Sequence, residues 1–112
     1  MSSNYPLLAI NYNCAINNKK MRKVRAYILV EGRVQGVFFR ATARDVANEL
    51  GIGGWVRNRW DGKVEITVEG EEKVVKKMVD WCYQGPPGAV VTQVKVEWQP
   101  YQGEFNRFSI RY

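Results

Sequence analysis

Apolar residues recur with two different periods along this chain, and the order in which those periods alternate leaves few folds open. Val24, Ala26, Ile28 and Val30 take every second position, with Arg25, Tyr27, Leu29 and Glu31 between them. Period two with β-branched residues describes a strand, here apolar enough to be partly buried on both faces. After a glycine-containing loop, Phe39, Ala43, Val46, Ala47 and Leu50 recur at helical spacing. They predict an amphipathic helix from about Val37–Arg40 to Leu50, stopped by Gly51 and Gly53-Gly54. Trp55–Asn58 predicts a short strand and Asp61-Gly62 a tight turn. Lys63–Glu69 predicts the second arm of that hairpin, with Val64, Ile66 and Val68 inward and Lys63, Glu65, Thr67 and Glu69 on a wet face.

Gly70 then opens a second helix, with Glu71 and Glu72 near its positive end and Val75, Met78, Val79 and Cys82 on its buried stripe. Gly85-Pro86-Pro87 ends it, because glycine takes the left-handed cap and proline cannot continue the helix. Two more strands follow: Val90–Trp98, burying Val94, Val96 and Trp98, and Phe105–Tyr112, with Phe108, Ile110 and Tyr112 on one face. The resulting order β-α-β-β-α-β, its last region divided into two strands, predicts the α+β class. The plan is a ferredoxin-like split β-α-β sandwich, an antiparallel sheet with two helices packed on one face.

A length of 112 residues suits one domain. Residues 1–22 lack a sustained period and are expected to form a flexible extension, with the domain spanning 23–112 and a natural start at Met21. Hydrophobic content of 46% beside 25% charged residues describes a soluble globular protein. No apolar run approaches the roughly 18 residues of a membrane span. Tyr5–Ile10 is too short for a signal-peptide core. A cytoplasmic monomer that binds no membrane is the expectation.

The chain has no histidine, which removes a catalytic triad, a phosphohistidine intermediate and most zinc or iron sites. Cys14 and Cys82 are far apart and form no CxxC pair, so neither a disulfide framework nor a zinc site is indicated. The residues after Cys82 also lack the loop-and-arginine spacing of a cysteine-dependent phosphatase. A net charge of +6 suits an anionic partner, whether nucleic acid, anionic lipid or a phosphorylated metabolite.

Glu31-Gly32-Arg33-Val34-Gln35-Gly36-Val37-Phe38-Phe39-Arg40 runs from strand through glycine loop into a helix N-terminus. Such a junction offers unpaired N–H groups and the positive end of a helix dipole to an anion. Gly32 and Gly36 allow backbone angles that let amides converge. Arg40 is electrostatically misplaced in a first helical turn, at a cost of about 0.3–1 kcal/mol, unless an anion is bound there. Arginine suits that role because its planar fork grips two phosphate oxygens. The segment has neither the Gly-Lys-Ser/Thr ending of an NTPase loop nor GxGxxG spacing.

Gly32–Arg40 resembles the first signature of the acylphosphatase family, and Gly54-Trp55-Val56-Arg57-Asn58-Arg59-Trp60-Asp61-Gly62 resembles the second, in matching order and spacing. The resemblance extends from about Lys23 to Tyr112 and includes Gln84-Gly85-Pro86-Pro87. It implies hydrolysis of acyl phosphates to a carboxylate and inorganic phosphate, with no metal or organic cofactor. It also implies roles: Arg40 binds phosphate, the loop Gly32, Arg33, Val34, Gln35, Gly36, Val37 and Phe38 forms the backbone cradle, and Asn58 orients the attacking water. Without it Asn58 reads as a strand-end or turn residue before Asp-Gly. Arg59-Trp60 is less typical of the family's hairpin. The competing class is an RNA-binding sheet, which needs exposed aromatics in a Lys/Arg-Gly-Phe/Tyr-type run. No such run occurs, and Tyr27, Trp55, Trp98 and Phe108 read as core or sheet-packing residues, so no nucleic-acid partner is expected.

Overall fold

The computed structural model describes residues 22–112. The extension expected over 1–22 therefore lies, except for Arg22, outside the described residues, as do Met21 and Cys14. The elements are β1 (Lys23–Arg33), α1 (Phe39–Leu50), β2 (Gly53–Asn58), β3 (Val64–Glu71), α2 (Glu72–Gln84), β4 (Val90–Gln99) and β5 (Phe108–Arg111). They build a five-stranded sheet in the order β4-β1-β3-β2-β5 with the ferredoxin-like plan. The β1/β3, β1/β4 and β2/β3 pairs are antiparallel, and β5 joins the β2 edge in parallel. That last pairing follows from direction. β4 and β2 run opposite ways, and residues 100–107 cross the sheet at one end, so β5 returns alongside β2. No helix among the described residues is long and apolar enough to cross a membrane.

Both helices cover one face. Ala26, Ile28 and Val30 of β1, Val56 of β2, and Val64, Ile66 and Val68 of β3 are buried with Phe39, Ala43 and Ala47 of α1 and Val75, Met78, Val79 and Cys82 of α2. The helical stripes are those the spacing predicts. Phe39 stands against Trp81 with ring centroids 5.1 Å apart, closing the gap between the helices. Burying a side chain of that size contributes about 1.5–3 kcal/mol.

The wet face expected for β3 is not wet: Glu65, Thr67 and Glu69 are only 4%, 3% and 4% exposed. β3 is central, and side chains from its neighbours close over it. Tyr27 Oη donates to Glu65 at 2.6 Å, and Arg57 pairs with the same carboxylate. Arg25 pairs with Glu69, whose oxygens also accept the N–H groups of Gln102 (2.7 Å) and Glu104 (2.8 Å). Burial pushes both glutamates up, yet these donors hold their carboxyls below the usual carboxylate range.

Other boundaries also differ from the sequence reading. Gly70 does not open α2, because β3 stays paired with β1 as far as Glu71 and the helix begins at Glu72. The Glu72 N–H donates to the Arg22 carbonyl at 2.9 Å, and the two side chains pair. Gly85 ends α2 with φ 68° and ψ −175°, a glycine-only conformation instead of the left-handed cap, and its N–H donates to Trp81. The final strand starts at Phe108, since Phe105–Arg107 belong to the crossing segment. Trp98 is exposed instead of buried: β4 is an edge strand, flanked by β1 alone.

Candidate active site

The ladder between β1 and β4 slips between Glu31 and Gly32. Gly32 sits at φ 127°, and a Cβ there would fall 2.1 Å from the Val90 carbonyl oxygen, so glycine is required at this slip in the ladder, one residue before β1 ends. Val34 is fully buried and roots the following loop in the core. Gln35 Nε2 donates to the carbonyls of Arg59 (2.7 Å) and Lys63 (2.9 Å) across the gap to the β2–β3 hairpin. Gly36 then takes φ 76°, and Phe38, the N-cap of α1, takes φ 61°.

Phe38 is the one non-glycine residue with positive φ among the described residues. That conformation costs an L-residue roughly 1–2 kcal/mol. The residue is 82% exposed, so burial does not offset the cost. The helix starts without a side-chain cap and without an acidic residue in its first turn. Among the described residues, no backbone carbonyl accepts from the N–H groups of Gln35, Gly36, Val37 or Phe38. Left-handed turns of this kind can aim successive amides toward one point.

Arg40 lies in that first turn, half-buried, with its guanidinium carbon 4.9 Å from the centre of the Tyr112 ring. Among the described residues no Asp or Glu pairs with it, whereas Arg22, Arg25, Arg57 and Arg59 all have carboxylate partners. Asn58 ends β2 opposite Val64. The hairpin after it is stiff: the Arg59 N–H donates to the Lys63 carbonyl at 2.8 Å, and the Arg59 guanidinium grips Asp61 through two bonds of 3.2 and 2.9 Å. Burial pushes the Asp61 carboxyl up, but Arg59 and the Lys63 N–H together hold it low.

Val34, Gly36, Phe38, Arg40 and Asn58 meet around one cavity of about 280 Å³. Of the other candidates, Gly32 sits at the slip in the β1/β4 ladder, Arg33 is exposed outside the lining, Gln35 ties the loop to the hairpin, and Val37 packs on the core. Ile110 and Tyr112 also line the cavity, which the sequence did not signal. They arrive there through the parallel docking of β5 on β2, a long-range pairing with no local pattern. An adjoining cavity of about 340 Å³ shares Asn58 and Tyr112 and adds Arg57, Arg59, Trp60 and Glu65.

A larger cavity of about 550 Å³ lies at the far end of β2, beside Gly53 instead of Asn58. Its buried carboxylate, Glu69, is already committed to Arg25 and two backbone donors. Desolvation pushes the buried Cys82 thiol far up, so it is no nucleophile. Among the described residues, no group of three or more His, Cys, Asp or Glu is placed to hold a metal ion.

The family model for acylphosphatases matches residues 26–110. An acylphosphatase of Pelotomaculum thermopropionicum is 53% identical over 82% of this chain and 100% of its own length. One from Aeropyrum pernix is 56% identical over 80% of this chain and 89% of its own. The crystal structure of acylphosphatase from Bacillus subtilis superposes with a TM-score of 0.77 at 39% identity, covering 80% of this chain and 99% of that one.

Proposed function

The chain belongs to the acylphosphatase family, and on that premise we propose that it hydrolyses the carboxyl–phosphate anhydride of acyl phosphates, releasing a carboxylate and inorganic phosphate. The observation that carries the reading is Arg40. Among the described residues it is a half-buried cation without a carboxylate partner, set beside N–H groups from which no backbone carbonyl accepts. A phosphoryl group satisfies both at once.

The amides of Gln35–Phe38 and the Arg40 fork stabilise the charge on the transferring group, which is most of what phosphoryl transfer asks of a protein. Asn58, on the same cavity, holds a water in line with the phosphorus and opposite the leaving carboxylate. The water oxygen forms the new bond to phosphorus as the bond to the acyl oxygen breaks. The water's proton passes to a phosphoryl oxygen, since an amide is no base at neutral pH. The carboxylate leaves without general-acid help, consistent with a chain that has no histidine.

Hydrolysis of a panel of acyl phosphates beside a stable phosphate monoester tests this. Faster turnover of benzoyl and acetyl phosphate than of the monoester is expected; preference for the monoester overturns the reading.

A further inference from the structure

We infer that Phe38 is a platform for the acyl portion of the substrate, selecting aryl and bulky apolar acyl phosphates over small ones. The inference rests on the proposed hydrolysis. Phe38 lines the phosphate cavity, yet the residue is 82% exposed, which puts it at the mouth. It is held at φ 61°, a conformation that glycine adopts freely, so the backbone of the loop does not call for a ring there. A strained residue whose side chain gains no burial invites a functional explanation.

The two neighbouring cavities carry different aromatic rings. Asn58 and Tyr112 line both, Trp60 lines the second alone, and Phe38 lines the first alone. With the attacking water at Asn58, in-line displacement sends the leaving acyl group to the opposite side of the phosphorus, and the platform role puts the Phe38 ring on that side. Acyl carbon is joined to phosphorus through one bridging oxygen, so a group next to the cradled phosphate reaches a ring carried by the cradle itself. The lining also favours an apolar group over a second anion. Ala41 and Ile110 contribute apolar surface, while the nearby cations Arg57 and Arg59 are paired with Glu65 and Asp61.

The test compares kcat/KM for benzoyl and acetyl phosphate in wild type, Phe38→Gly and Phe38→Asn, both replacements being tolerant of positive φ. The benzoyl-to-acetyl ratio is expected to fall about two- to tenfold in each variant, the range an aromatic pair contributes, and to do so through KM. A ratio that stays at the wild-type value overturns the platform, as does a fall produced equally by Trp60→Ala. On wild-type protein, phenylphosphonate is expected to inhibit more tightly than methylphosphonate; equal inhibition also overturns it. If wild type hydrolyses neither acyl phosphate, the proposed function falls and the platform with it. Hydrolysis of both with an unaltered ratio removes the platform alone.

Discussion

The Gln35 side chain donates through Nε2 to the main-chain carbonyl of Arg59 at 2.7 Å, and so joins the loop before α1 to the turn after β2. Arg40 follows β1 and Asn58 ends β2, and β3 lies between those strands in the sheet. The ladder therefore does not set the spacing of the loop and the hairpin directly; Gln35, with its second bond to Lys63, does. Gln35→Ala is expected to cost about 0.5–1.5 kcal/mol of stability per lost bond, measurable by urea denaturation. Turnover should suffer more than affinity for inorganic phosphate, because the misplaced partner is the hairpin that carries Asn58.

Removing a preorganised charge donor typically lowers turnover by about 10²–10³. Arg40→Ala is expected to lose at least that much on benzoyl phosphate, together with phosphate affinity. Arg40→Lys should restore little, since a single ammonium does not reproduce the guanidinium fork. Near-wild-type hydrolysis by Arg40→Ala would refute the mechanism.

For Asn58→Ala the expected signature is different: lower kcat with inorganic phosphate inhibition largely kept. Steady-state kinetics with phosphate as competitor separates the two. Loss of phosphate affinity with kcat retained would make Asn58 a ligand contact instead of a water-orienting group.

Glu65 and Glu69 should make the fold acid-sensitive. Their folded-state pKa values are depressed, as Tyr27 and Arg57 on one and Gln102, Glu104 and Arg25 on the other outweigh the effect of burial. Each therefore contributes stability above the unfolded-state value of about 4.3, and that contribution disappears as pH falls through the lower folded-state value. Thermal melts across the acid range should show a falling Tm, with a shallower dependence in Glu69→Gln.

Relieving the strained N-cap should raise stability. Phe38→Gly removes a left-handed penalty of roughly 1–2 kcal/mol and gives back part of it, about 0.5–1 kcal/mol, through glycine's greater unfolded-state entropy. A small increase in Tm is expected, and a clear decrease would show that the Phe38 ring contributes packing.

Periodicity alone settled much of this protein. Alternation at Val24–Val30 and Val64–Val68 and the stripes at Phe39–Leu50 and Val75–Cys82 specified the strands, the helices and their buried faces, because period and amphipathicity are local properties of the chain. The glycine loop leading into the helix that carries Arg40 was legible for the same reason, as one contiguous run of residues. What tertiary structure decided depends on neighbours distant in sequence. Glu65 and Glu69 alternate like solvent-facing residues, and only the closure of Tyr27, Arg57, Arg25 and the 102–104 backbone over them makes them buried. Tyr112 reaches Arg40 through the parallel docking of β5, and Gln35 reaches the hairpin across the top of β3. A pattern records which side of a strand is apolar; it holds no record of which strand comes to lie alongside, and pairing over long separations is chosen by the packing of the whole chain.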